Sequence, residues 1–373
     1  GEGVPARKLS EQSGDWIGWT PAGEVSWAEG PVLKRLAVDS LDEDQPLATA
    51  VSMEPGLALP RARPEGTLAL VNARVLSMAN PQAPGEAIEG ATVVIERDRI
   101  VSVQAGGAVP EGARVIDLSG KTVIPGLIDV HAHLHYGAGD VLPEQEWRYR
   151  VNLDFGVTTV HDPSASTDLV FTQAERVAAG LMEGPRVFST GFVLYGAKSN
   201  AGAPTPDREA ALRHVRRLQA LGASSVKVYQ QSRRDQRQWY AEACAELSML
   251  CVAEGGGDTW MNLGMVLDGF QAIEHSLPNA PLYADVRGLM GASATADSAG
   301  TAYTPTLLVA YGGVSGEGYF FQHHDPLQVE RLLRNHPRRL LDQRAWRHGE
   351  FGREGDWNNQ QAATPRRWLG LAS

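Results

Sequence analysis

Hydrophobic and polar positions alternate with period two in three short stretches near the start: Asp15-Trp16-Ile17-Gly18-Trp19, Glu24-Val25-Ser26-Trp27-Ala28 and Val32-Leu33-Lys34-Arg35-Leu36-Ala37-Val38. Pro-Ala-Gly and Glu-Gly-Pro turns separate them, so residues 1–60 read as a small antiparallel sheet. It is either the remnant of a propeller blade or a β-rich extension packed on the rest of the chain. A four-stranded blade takes about forty residues and is stable only beside other blades, so the first reading implies missing upstream sequence. From Thr67 the pattern changes to Val- and Ile-rich strands at Leu68–Leu76, Ala91–Glu96, Arg99–Gln104, Arg114–Asp117 and Lys121–Ile124. This hairpin-rich stretch, residues 61–125, predicts a small β-sandwich domain.

The apolar run Pro125-Gly126-Leu127-Ile128-Asp129-Val130-His131 follows, a strand that ends in polar residues. Beyond it strand and helix patterns alternate. Strands are predicted near Gly156–His161, Arg186–Gly191, Ser225–Tyr229, Met249–Glu254, Ala272–His275 and Ala302–Leu308, with helices such as Arg208–Leu221 and Gln236–Leu247 between them. Such alternation implies parallel strands joined by crossover helices. Residues 126–373 are therefore expected to form an α/β unit of the (β/α)8 TIM-barrel type with seven of its eight strands. An open barrel leaves strand edges unpaired, so truncation before the eighth strand is expected.

Composition narrows the partners. The 373 residues are 43% hydrophobic and 21% charged with a net charge of -10, which suits a folded domain and argues against a nucleic-acid partner. The run Arg233-Arg234 with Arg237 reads as a solvated helix face. No stretch of eighteen or more apolar residues predicts a membrane span. Cys244 and Cys251 flank a helix-to-strand junction without a metal-finger or disulfide framework. The start, Gly1-Glu2-Gly3, carries no leader pattern, and the natural N-terminus is expected upstream.

Chemistry concentrates at Asp129-Val130-His131-Ala132-His133. Residues two apart on a strand face the same way, so both imidazoles are aimed into one space, the arrangement that chelates a metal. The alternative is two incidental histidines on a solvated strand end. His135 continues the alternation, either as support for the site or as a loop residue. Here a resemblance becomes specific. Gly120-Lys121-Thr122-Val123-Ile124-Pro125-Gly126-Leu127-Ile128-Asp129-Val130-His131-Ala132-His133 resembles the first-strand signature of the amidohydrolase superfamily, in its imidazolonepropionase-like and prolidase-like branch. The similarity runs from about Leu68 to His324. It is supported by Gly156–Asp162 on the second strand, Ser225-Val226-Lys227-Val228-Tyr229 on the fourth, Ile273-Glu274-His275 on the sixth and Tyr303-Thr304-Pro305-Thr306-Leu307 on the seventh.

The resemblance implies that the first-strand histidines bind a divalent metal, that the fourth-strand lysine is often carbamylated to bridge two metals, and that fifth- and sixth-strand histidines hold the second. Carried over, these roles fall on His131, His133, Lys227 and His275. Lys227 is the odd polar residue between Val226 and Val228, and a protonated amine cannot ligate a cation whereas its carbamate can. The cofactor implied is one or two divalent ions, zinc first, which lower the pKa of water and polarise a carbonyl.

The fifth strand departs from the pattern. Where the family has a histidine this chain reads Cys251-Val252-Ala253-Glu254-Gly255-Gly256-Gly257, so Glu254 stands in the ligand position or orients an imidazole. The general base, an aspartate at the end of strand eight in the family, is expected beyond Ser373, so no catalytic base is assigned and the chain by itself is expected to be inactive or unfolded. His161 with Asp162 ends the second strand as a candidate substrate contact or as a buried hydrogen-bonded couple, and Tyr229 and Tyr303 at strand ends are candidate substrate contacts, with core packing as the other reading. The glycine runs read as strand-to-helix turns, since they lack the spacing and lysine of a phosphate loop. The segments Gln230–Trp239, Glu254–Gly257 and Asp268-Gly269-Phe270 resemble bacterial proteins in which a TolB-like propeller precedes the barrel, which implies a periplasmic or secreted location.

The expected activity is hydrolysis of a carbon–nitrogen bond, in an amide, cyclic amide or dipeptide-like small molecule, by metal-activated water. Two other readings stand beside it: a binding or scaffold module that has lost catalysis, and a metal-dependent lyase or isomerase on the same scaffold. A homo-oligomer and a protein partner met through the propeller are compatible with the resemblance.

Overall fold

The computed structural model describes residues 9–10, 14–40, 50–80, 82–134, 137, 141–196, 204–229, 231–278, 282–292, 300–306 and 324–344. Near the start, β1 (Asp15–Trp19), β2 (Glu24–Glu29), β3 (Val32–Ala37) and β4 (Val51–Met53) form an antiparallel sheet in chain order. The expected small sheet is there, with a fourth strand that its three residues were too short to signal. Trp27, Ala28 and Leu36 are its buried residues.

The next sheet has β5 (Thr67–Leu76) at its heart. Hairpin partners β6 (Ala87–Glu96) and β7 (Arg99–Ala105) lie on one side, and β8 (Arg114–Asp117) with β9 (Thr122–Val123) pairs parallel to β5 on the other. The sheet is therefore mixed, not a run of hairpins, and β6 begins four residues before the predicted Ala91. Ala73, Val75, Ala91 and Val93 make its core, small residues that let β5 and β6 pack closely.

The remainder is mixed α/β. A parallel three-stranded sheet holds β10 (Leu127–Asp129), β11 (Val157–Asp162) and β12 (Arg186–Ser189). A parallel five-stranded sheet holds β13 (Leu194–Tyr195), β14 (Ser225–Tyr229), β15 (Leu250–Glu254), β16 (Ala272–Glu274) and β17 (Ala302–Thr304) in chain order. Connections run through α1 (Trp147–Asp154), α2 (Thr167–Ala178), α3 (Arg208–Ala220), α4 (Arg234–Glu246), α5 (Thr259–Leu267) and α6 (Ala284–Ala292). The first of these strands ends at Asp129, short of the predicted His131, and the last at Thr304. Residues 307 and 308 of the predicted seventh strand lie outside the described residues.

The core explains why α3 and α4 cover the larger sheet. In α3, Ala211, Leu212, Val215 and Leu218 recur at helical spacing and are buried with Tyr240 and Cys244 of α4 against Val226, Val228, Cys251, Ala253 and Ile273. Each such aliphatic side chain contributes about 1.5–3 kcal/mol through burial. The α3 N-terminus is fixed by Asp207, whose carboxylate accepts from the Ala210 N–H at 2.8 Å. The basic run is not a uniformly solvated face. Arg233 and Arg234 are exposed, but Arg237 is 6% exposed and donates to the carbonyls of Gln231 and Ser232. At its place in the helix its side chain points under the loop that follows β14, and backbone carbonyls there accept the charge. Among the described residues no helix is long and apolar enough to cross a membrane.

Candidate functional site

Register places the first charged residues. In the larger sheet Lys227 lies opposite Val252, and Glu254 opposite Glu274, so period-two alternation puts Lys227, Glu254 and Glu274 on one face. The Lys227 amine, 2% exposed, pairs with Glu254 at 2.8 Å and with Glu274 Oε2. Burial pushes Lys227 below the ordinary lysine value, against the opposing pull of Glu254. Burial acts to raise Glu254, but the His275 hydrogen bond and the Lys227 charge prevail and hold it below the usual carboxylate range.

Gly255 lets β15 and β16 end side by side. Its N–H donates to the Glu274 carbonyl at 2.9 Å, and a Cβ at this position would overlap that carbonyl oxygen. Alternation alone would turn His275 away from the face that carries Glu274. The structure instead sets His275 at φ 68°, a left-handed conformation uncommon for a residue with a side chain. Its ring thereby reaches the site, with Nε2 at 3.0 Å from Glu254 Oε1 and Nδ1 at 2.8 Å from Thr306 Oγ1.

From the smaller sheet, the chain just past β10 delivers the paired histidines. The Asp129 carboxylate accepts from the His131 N–H, and the Ala132 N–H donates to the His161 carbonyl. The two rings meet with Nε2 atoms 3.1 Å apart, and the His131 ring lies 5.0 Å from that of His275. Burial, reinforced by the Lys227 charge, pushes His131 down to about 3, so its ring is neutral near pH 7. His131 Nδ1 faces Glu274 Oε1 at 3.4 Å without a formed hydrogen bond. His133 Nδ1 faces Asp162 Oδ1 at 3.7 Å, and the fully buried Asp162 carboxylate also accepts from the Leu134 and Ser164 N–H groups.

The structure thus brings together His131, His133, Lys227, Glu254 and His275. His161 and Tyr229 lie at the margin of the cluster. His161 contacts the Val130 carbonyl and Ser225 Oγ at 3.2 and 2.8 Å, and burial lowers its pKa. Tyr229 stacks on Tyr195 at 5.1 Å, and burial with the Glu254 charge raises its hydroxyl. The Tyr303 hydroxyl accepts from the Leu277 N–H at 3.0 Å, a backbone attachment. His135 lies outside the described residues. Glu274 is the side chain that sequence reasoning left unassigned, while Asp162, read with His161 as a substrate contact or a buried couple, is buried facing His133. The signal for Glu274 was the one used for Lys227, a charge within an apolar strand.

The neutral His131 imidazole, the rings of His133 and of His275 on its strained turn, and a carboxylate are donors suited to a borderline divalent cation, and the unbonded, buried Nδ1 of His131 belongs to a ring whose Nε2 faces the cluster. Among the described residues no three His, Cys, Asp or Glu side chains already form a ligand cage. The carboxylates are engaged with Lys227 and the histidines instead.

No family model matches the chain. Over 151 residues it is 34% identical to an imidazolonepropionase of Streptomyces griseus subsp. griseus, a match covering 37% of this chain and 36% of that protein. The chain therefore spans about a third of the length of that curated relative. Among solved structures, a candidate prolidase from Bifidobacterium longum superposes with a TM-score of 0.54 at 23% identity, over 68% of this chain and 63% of the other. A Xaa-Pro dipeptidase with methionine bound in its active site gives 0.54 at 16% identity, over 82% and 86%. These two likenesses concern the fold. Over the matched third the chain is thus similar to an imidazolonepropionase, and its strand-end residues resemble those of the amidohydrolase superfamily.

Proposed function

We propose that the chain carries the metal site of a hydrolase acting on a carbon–nitrogen bond of a small molecule. The observation that supports this reading is the convergence of His131, His133, Glu254 and His275 from the ends of separate parallel strands onto one cluster. The two parallel sheets are read as parts of one (β/α)8-type barrel, whose strand ends in characterised enzymes of that fold carry the chemistry. The units at 1–60 and 61–125 are read as a β-rich extension of blade type and a smaller β domain.

His131 and His133 would hold a divalent ion through Nε2, with Glu254 Oε1 and His275 Nε2 as the donors from the larger sheet. Such an ion, zinc first, lowers the pKa of water and polarises a carbonyl. The chain's residues do the rest. Asp162 fixes the loop that carries His133, which orients that ring. Glu274 faces Nδ1 of His131 and favours the tautomer that leaves Nε2 free to donate its lone pair. Tyr229 and Tyr195 offer a stacked aromatic wall beside the cluster for the substrate's apolar part.

The test is equilibrium dialysis of the full chain against zinc, followed by assay on N-acyl, cyclic-amide and dipeptide compounds. Bound zinc near stoichiometry, lost in the variant carrying His131→Ala and His133→Ala, is expected. A wild-type chain that retains no divalent metal contradicts the proposal.

A further inference from the structure

We propose that His161 is a positioning residue that braces the segment carrying His131 and links it to the larger sheet through Ser225. The brace is read from geometry alone, and its consequence for a cation rests on the hydrolase reading above.

The bonds made by His161 fall on either side of His131. Its backbone carbonyl accepts from the Ala132 N–H at 3.0 Å, and its ring Nδ1 lies 3.2 Å from the Val130 carbonyl. A carbonyl can only accept, so Nδ1 carries the proton and donates. One residue of β11 thereby holds the peptides that enter and leave His131, and with them the direction of its ring. Nε2 is left to meet Ser225 Oγ at 2.8 Å. Ser225 belongs to β14, two residues before Lys227, so period-two alternation puts it on the face that also carries Lys227. β11 and β14 lie in different sheets. The His161 ring therefore links the sheet that leads into His131 and His133 to the sheet that delivers Glu254 and His275. Donors from two sheets share a cation well only while their geometry is held to within about 0.5 Å, and this link helps to hold it. A serine–histidine pair at such a distance also invites a nucleophile reading. Ser225 is 1% exposed, so no substrate reaches its hydroxyl, and the pair is a support.

Two substitutions in the full chain separate the arms. His161→Asn places an amide where Nδ1 was and falls short of Ser225, whereas His161→Gln reaches toward Ser225 and gives up Val130. Ser225→Ala removes the link alone. Zinc affinity is read by competition with a chromogenic chelator. His161→Asn and Ser225→Ala are each expected to weaken zinc binding by about tenfold, the lower end of what lost support of a ligand costs, and the chain carrying both is expected to weaken no further. Additive losses, or single variants that bind zinc as tightly as wild type, overturn the link. The brace is read without metal, in a chain labelled with 13C-carbonyl valine and 15N-histidine. Two Val-His peptides occur, Val130-His131 and Val160-His161, and the second vanishes in the His161 variants, so the remaining resonance reports the Val130 carbonyl. It is expected to stay near its wild-type position in His161→Asn and to move upfield in His161→Gln, and equal movement in both overturns the brace. A wild-type chain that takes up no zinc removes the hydrolase reading. The carbonyl resonance, with the same set of variants compared by urea midpoints, then still decides the brace and the link.

Discussion

At His275 the chain holds a non-glycine residue at φ 68°, where the backbone costs on the order of 1–3 kcal/mol, and Thr306, whose hydroxyl meets its ring, is also left-handed at φ 44°. Packing elsewhere supplies that energy, and the result is an imidazole brought to the face that alternation gives to Glu274. His131 shows the companion effect of burial. Its pKa falls from 6.5 to about 3, so between those values the unfolded chain takes up a proton that the folded chain refuses. Stability is therefore full above pH 6.5 and declines as pH drops toward 3. Urea midpoints of the metal-free protein at pH 7 and 4.5 should fall further for wild type than for His131→Asn. Equal losses in the two would contradict it. The ligand candidates were legible because each is a polar residue within or just past an apolar strand. Glu274 satisfies the same criterion, but the histidine beside it drew the assignment, and the left-handed turn that lets both face the site leaves no mark in composition.

At the scale of elements, close approach matters as much as propensity. Gly255 reads from sequence as one of three turn glycines, yet its N–H is bonded to Glu274 and it has no room for a Cβ. Gly255→Ala is expected to force the two strand ends apart, destabilise by about 1–3 kcal/mol and weaken zinc binding, as calorimetry and dialysis would show. Gly257→Ala, with open space at that position, should do neither, and equal damage from both would refute the close-approach argument. Long periodic segments such as α3 and β14 were readable because burial enforces their period. The two-residue β13 and three-residue β4 were not, since so few positions define no period. Arg237 was misread for a related reason: the carbonyls of Gln231 and Ser232 that receive it are presented by a loop, and loop shape is set by tertiary contacts.

Across the whole molecule, parallel sheets with crossover helices were readable from the spacing of strand and helix patterns, because only helical connections of that length return a chain to a parallel neighbour. The pairing of β8 and β9 with the far side of β5 was not, since sheet order depends on contacts distant in sequence. The convergence of residues from β14, β15, β16 and the loop after β10 is likewise a property of the assembled fold, to which four separated motifs pointed. The central claim is that one cation is gathered there by imidazoles from both sheets. X-ray absorption of the zinc-loaded chain tests it most directly. The account expects a shell of nitrogen and oxygen donors at about 2.0–2.2 Å, with outer scattering from three imidazoles that drops to two in His275→Asn. A spectrum with no imidazole scattering, or one unchanged by that substitution, would contradict it.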